Sequence, residues 1–189
     1  TNRNDILARF LAANDMSLRA VEPSLSPSMD IQVSSNFERL LFELLGRDGR
    51  ATAATMRDFR ATGRMAVPEE AWREAASLFR PFRLDDEGTL AEIARTHRAT
   101  GWLADPHSAI GIAAGRAHLP EAADIPVVAV ATAHPAKFPE AVERATGIRP
   151  ALPAHLADLR DRPERFTVAR NDLVAVEALV RGTALRTAA

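Results

Sequence analysis

The stretch Ile125-Pro126-Val127-Val128-Ala129-Val130-Ala131 decides the fold class. Val127, Val128 and Val130 make a short, continuous apolar run of β-branched residues, the pattern of a strand buried on both faces of a parallel sheet. Thr132-Ala133-His134-Pro135 ends it, and a helix is expected from Ala136 to Thr146, closed by Gly147. Outward from this strand, helices are expected over Ile6–Ala13, over Asn36–Leu45 with Gly46 and Gly49 terminating it, and over Ala51–Thr62 closed by Gly63. Further helices run from Pro68 to about Phe79, from an Asp86 cap to Thr100, from Pro106 to about Ala117, near His155–Leu159, and from Asn171 to Val180. Leu18–Val21 and Phe82–Leu84 read as further short strands, and Phe166–Ala169 as a short segment. Helices alternating with short apolar strands give an α/β class, with a small or incomplete sheet.

The chain has 189 residues, enough for one domain with a real core. Hydrophobic residues are 47% and charged residues 26%, which excludes a disordered chain. A net charge of −1 gives no field to draw in nucleic acid or a membrane surface. No apolar run approaches the roughly 20 residues of a membrane span. The absence of cysteine removes disulfides and thiolate metal sites and fits a reducing, cytoplasmic compartment. Of 24 Lys plus Arg, the only lysine is Lys137. The arginines lie scattered among Asp and Glu, as on solvated helix faces. The first residue is Thr1 rather than Met, which raises the expectation that residues upstream are missing.

Several residues stand where α/β proteins place chemistry. Asp105-Pro106-His107-Ser108 occupies a loop-to-helix junction, where unpaired N–H groups favour anions. Asp105 is either a ligand contact or, more plainly, the cap of the helix that starts on Pro106. Thr132 follows the best strand and offers a hydroxyl to a ligand or to its own helix end. Ser34-Ser35-Asn36 reads as an N-cap. Arg39, in the first turn of the helix it caps, opposes the helix dipole and would suit an anionic partner. His97, His118 and His155 sit in helical patterns without the paired spacing of a metal site.

Four motifs carry a family resemblance. Thr1 to Leu7, Ser26-Pro27-Ser28-Met29-Asp30-Ile31-Gln32-Val33-Ser34-Ser35-Asn36-Phe37-Glu38-Arg39, Asp105-Pro106-His107-Ser108-Ala109-Ile110-Gly111, and Thr132-Ala133-His134-Pro135-Ala136-Lys137-Phe138 resemble, in order, the bacterial and fungal class of threonine synthases. Ser108 departs from the pattern, where the family often has threonine. The resemblance implies a fold like that of tryptophan synthase β-type enzymes (fold type II), of which this chain is a helix-rich part with a small, partly parallel sheet. It implies pyridoxal 5′-phosphate as cofactor and O-phosphohomoserine as the small-molecule substrate, converted with water to threonine and phosphate.

The family's catalytic lysine and glycine-rich phosphate loop lie upstream of the segments matched, and residues 1–189 are therefore expected to be the carboxyl-terminal part of the cofactor-binding region, inactive alone. Lys137 falls in the motif after the cofactor-facing strand, so the resemblance gives it a supporting role. Thr132 matches the hydroxyl that hydrogen-bonds the pyridine nitrogen. Asp105 matches an acidic position near the cofactor ring, with His107 and Ser108 adjacent and Ser108 a further cofactor contact. Ser35, Asn36 and Arg39 match a stretch near the substrate. A second reading is a non-catalytic binding or regulatory module derived from such an enzyme. Cutting a sheet would expose an edge and an apolar face, so self-association through that surface is expected.

Overall fold

A computed structural model describes residues 1–122 and 124–187. The chain divides into two compact units, Thr1–Ala151 and a second from Leu152 onward. The first holds seven α-helices among its described residues: α1 (Ile6–Ala13), α2 (Phe37–Leu44), α3 (Gly49–Thr62), α4 (Glu69–Leu78), α5 (Asp86–Thr100), α6 (Pro106–Ala122) and α7 (Pro139–Thr146). The second holds a 3₁₀ turn, Ala154–Leu156, and α8 (Leu173–Thr187), whose first turn is capped by Asp172 accepting from the Ala175 N–H at 2.9 Å.

Local chemistry places the helix ends. Asp48 caps α3 by accepting from the N–H groups of Arg50 and Ala51, so Gly49 opens that helix instead of closing the one before it. Asp85, rather than Asp86, caps α5 by accepting from the Gly88 N–H. Gly63, Gly101 and Gly147 end α3, α5 and α7 at φ between 70° and 74°, a conformation that costs glycine nothing. Pro120 lies inside α6, which continues to Ala122, past the expected end at Ala117.

Two cores result. Ile6 and Phe10 of α1, Phe37 and Leu41 of α2, Met56 and Phe59 of α3, and Ala71 and Ala75 of α4 pack together with Met16, Met65 and Val67. The Phe10 and Phe37 rings meet edge to face, with centroids 4.9 Å apart. Trp72 stands beside them and donates its Nε1–H to the Phe10 carbonyl at 2.7 Å. A smaller cluster joins Ile93, Ala104 and Ala109, with Ile112 and Ala145 against it.

The expected sheet is not there: no strand occurs among the described residues. Leu18–Val21 and Phe82–Leu84 form no regular element. Leu18 donates its N–H to the Gly63 carbonyl, and Leu84 donates to Thr1, without building a ladder. Ile125–Ala131 is the largest correction. It forms no regular element and passes with Val127 against α6, where a Cβ on Gly115 would stand 3.3 Å from Val127 Cγ1. Its other large apolar side chains are open, with Ile125, Val128 and Val130 at 72%, 81% and 70% exposure. A strand is a property of a pair, and the described residues supply this segment with no partner for its backbone N–H and C=O groups.

Candidate cofactor site

Thr132, at the end of that segment, stands between two clefts. One, of about 680 Å³, is lined by Gly101, Trp102, Leu103, His134 and Pro150 among others. The second, of about 370 Å³, lies against α1 and α6, with Leu7, Met29, Arg80, His107 and Ile110 in its wall. The Thr132 side chain is exposed, and its hydroxyl has no protein partner among the described residues. Both volumes lie in the range of small-molecule sites.

What holds Thr132 in place is the start of α6. Asp105 is fully buried, His107 is 6% exposed and Ser108 2%. The Asp105 carboxylate accepts from the His107 N–H at 2.9 Å, as an N-cap does. Its Oδ1 also meets His107 Nδ1 at 2.9 Å, and its Oδ2 accepts a hydrogen bond from the Ser108 hydroxyl. The same Ser108 oxygen accepts from the Thr132 N–H at 3.1 Å. On the far side of the imidazole, Nε2 accepts from the Ser28 N–H at 3.2 Å. An accepting Nε2 carries no proton, so His107 is the neutral tautomer with its hydrogen on Nδ1, directed at Asp105. The Phe138 ring packs on this imidazole, centroids 4.6 Å apart.

Asp, His and Ser in one cluster invite comparison with a hydrolytic triad. The connectivity is wrong for one. Both His107 and Ser108 bond to Asp105, and the imidazole nitrogens are taken by Asp105 and Ser28, so no base is placed to receive the serine proton. The cluster orders the chain instead. Asp105 spends its oxygens on its own helix start, the cap that the sequence allows as the plainer reading.

The Ser26–Asp30 loop that reaches His107 is itself held by a polar core. Asp30 accepts from the side chains of Asn2 (2.7 Å), Asn4 (3.0 Å) and Ser24 (2.6 Å), and from the Ser24 N–H (2.9 Å). Asn2 also donates to Ser26, and Asn4 pairs with the backbone of Glu22 in both directions. From sequence, Asn4 or Asp5 is a candidate cap of α1 and Asn2 and Asp30 carry no individual signal; Asp5 stands at the cap position and Asn4 turns to this polar core instead. The available signal was amide side chains set close together before an apolar helix, next to a loop rich in Ser and Pro. Thus the first three motif segments and Thr132 are joined by one chain of hydrogen bonds.

The expected substrate residues lie elsewhere. Ser35, Asn36 and Arg39 are exposed at the start of α2, where Arg39 donates to the Asn36 side chain at 3.2 Å. Asn36 lines an apolar cleft of about 230 Å³ with Leu7 and Leu11, residues that also wall the cleft below Thr132. Asn36 and the Thr132 cleft therefore share the Leu7 and Leu11 stripe of α1, with no hydrogen bond among the described residues between Thr132 and Ser35, Asn36 or Arg39. Lys137 is exposed, its Nζ 5.9 Å from the centroid of the Phe138 ring. Among the described residues, no three His, Asp or Glu side chains gather as a metal site, and no helix is long and apolar enough to cross a membrane.

Comparison with known proteins bears on this arrangement. Residues 108–180 match the family model described as threonine synthase, C-terminal. The chain is 52% identical over 181 residues to a threonine synthase of Pseudomonas aeruginosa, covering 95% of this chain and 38% of that protein. It is 33% identical over 171 residues to human threonine synthase-like 2, covering 89% and 35%. The PLP-bound threonine synthase of Brucella melitensis superposes with a TM-score of 0.79 at 46% identity, over 96% of this chain and 39% of that one. The yeast threonine synthase does so with a TM-score of 0.76 at 30% identity, over 96% and 40%. The chain spans about two fifths of the length of the relatives it matches; it is similar in sequence and fold to part of the threonine synthases, with residues 108–180 similar to their carboxyl-terminal region.

Proposed function

We propose that this chain forms one wall of the pyridoxal-phosphate site of a threonine synthase, an enzyme that converts O-phosphohomoserine and water to threonine and phosphate. The observation that carries the reading is the Thr132 hydroxyl, unpartnered at the mouth of a cleft that can hold a small aromatic ligand, on a backbone fixed by Ser108. The fit is to the ring end of the cofactor. The start of α6, the nearest anion-binding helix end, is already occupied by the Asp105 carboxylate, so the phosphate end belongs to a part of the enzyme outside residues 1–189.

Thr132 donates or accepts a single hydrogen bond and, unlike a carboxylate, does not hold a pyridine nitrogen in its protonated form. Bound, the cofactor supplies an electron sink for carbanion chemistry. The chain's own residues orient and enclose it. Thr132 meets the ring nitrogen, and Trp102 and His134 line the cleft beside it. Asp105 and Ser108 stand behind Thr132, while Ser35, Asn36 and Arg39 offer polar groups to the substrate across α1. Lys137 takes no part in holding the cofactor; the lysine and phosphate loop come from the remainder of the catalytic region.

The open face of Ile125–Ala131 fits the same reading. In the complete enzyme this segment pairs as a strand of a partly parallel sheet, and the enzyme works in the cytoplasm. Incubating the purified 189-residue chain with pyridoxal phosphate and O-phosphohomoserine tests the claim: no threonine is expected, and turnover by this chain would overturn it.

A further inference from the structure

We infer that Ser108 is a positioning residue that acts through Thr132 rather than on the cofactor. Three observations converge on it. Ser108 is 2% exposed, its proton is given to Asp105, and its lone pair takes the Thr132 N–H at 3.1 Å. A hydroxyl so engaged has no hydrogen left for a ligand. Thr132, in contrast, sits at the end of a segment without a ladder, so Ser108 supplies the cross-bond that sheet pairing would otherwise supply to its N–H.

The position is set further back. Asp105 holds Ser108 by one oxygen and His107 by the other, and His107 is held in turn by the Ser28 N–H. The segment bearing Ser28 is fixed by Asn2, Asn4 and Asp30. The position of the Thr132 backbone, from which its hydroxyl projects, is therefore held by a relay from Ser28 through His107, Asp105 and Ser108. The inference rests on the reading of Thr132 as the ring contact, but the relay itself is testable without cofactor.

The test uses the protein that carries this chain, first stripped of cofactor and then loaded. In the stripped form, Ser108→Ala is expected to speed amide hydrogen exchange at Thr132 by about tenfold, which corresponds to about 1.4 kcal/mol, while exchange in α1 to α4 stays as it was. Ser108→Thr keeps the hydroxyl and restores protection. His107→Asn keeps a donor toward Asp105 and loses the acceptor for Ser28; exchange at the Ser28 amide rises more than at Thr132. Unchanged exchange at Thr132 in Ser108→Ala overturns the relay.

In the loaded form, Ser108→Ala and Thr132→Val are both expected to shift the cofactor absorbance band and to lower kcat more than they raise KM, with Ser108→Thr close to the parent. A Thr132→Val protein with an unaltered band refutes the ring contact while leaving the exchange result standing. An unaltered band in Ser108→Ala alone, with Thr132→Val shifted, refutes the action of Ser108 through Thr132.

Discussion

The helices α1 to α4 and the segment Ile125–Ala131 are both apolar, yet one forms a closed core and the other lies open. Phe10 and Leu41 are 1% and 0% exposed, whereas Val128 is 81% exposed. A helix satisfies its backbone internally and needs only a face to bury, which neighbouring helices in the same stretch of chain supply. A strand needs partners along its edges and a layer on each face. Cut from those, the same hydrophobicity is a liability rather than a source of stability. The contrast marks where the chain buries its apolar residues and where, among the described residues, it leaves them open.

The contrast predicts very different costs for truncating apolar side chains in the two regions. In the isolated chain, Phe10→Ala is expected to destabilise by about 3–5 kcal/mol, read from denaturant unfolding, because it empties a fully buried site against Phe37. Val128→Thr is expected to stay within about 0.5 kcal/mol. Where a sheet covers this segment, as proposed for the complete enzyme, the same change should cost about 1–3 kcal/mol, the cost of burying an unpaired hydroxyl in place of a methyl. Equal, small costs in both contexts would mean that no sheet covers this segment.

Asp30→Ala should come next, at about 1–3 kcal/mol, since it leaves the amides of Asn2 and Asn4 without their shared acceptor. Its effect belongs to the helical region, and a loss of less than 0.5 kcal/mol would show that the polar core is ornamental. The open face makes a third prediction, free of any stability change. Light scattering of the isolated chain should show mass rising with concentration, and the double change Val128→Asp with Val130→Asp should suppress that rise. A monodisperse monomer at high concentration counts against an exposed sheet face.

The smallest effect concerns acid. Hydrogen bonds from the Ser17 hydroxyl and N–H, and then from the Arg9 guanidinium, hold Asp15 well below the usual carboxylate range. A depressed folded pKa contributes stability that is full above the unfolded value of about 3.9 and is lost as pH falls through the folded value. The side chain is 38% exposed, so solvent screens the contribution. Asp15→Asn should therefore be slightly less stable than the parent at neutral pH, with the gap closing in strong acid; a gap that widens toward acid would contradict the sign.

Where the helices lie was legible because their signals are local. Ile6–Ala13 has the bounds expected of it, and Gly63, Gly101 and Gly147 mark ends that depend on one left-handed residue each. Helix caps one residue apart were not separable: Asp85 and Asp86 are equally good caps by type, and only the turn into α5 chooses between them. The expected strands do not form among the described residues because pairing depends on distant chain, and Val127-Val128 has the right residues without a partner beside it.

The site divides the same way. Asp105 as a cap follows from spacing alone, since it bonds two and three residues ahead. The bonds from Ser28 to His107 and from Thr132 to Ser108 span 79 and 24 residues, and no local pattern announces them.

The central claim is that this chain supplies a wall of the cofactor site and not the lysine that carries the cofactor. Borohydride treatment of the cofactor-loaded protein that contains this chain, followed by peptide mass mapping, tests it most directly. The label is expected on a lysine outside residues 1–189. A pyridoxyl label on Lys137 would contradict the account.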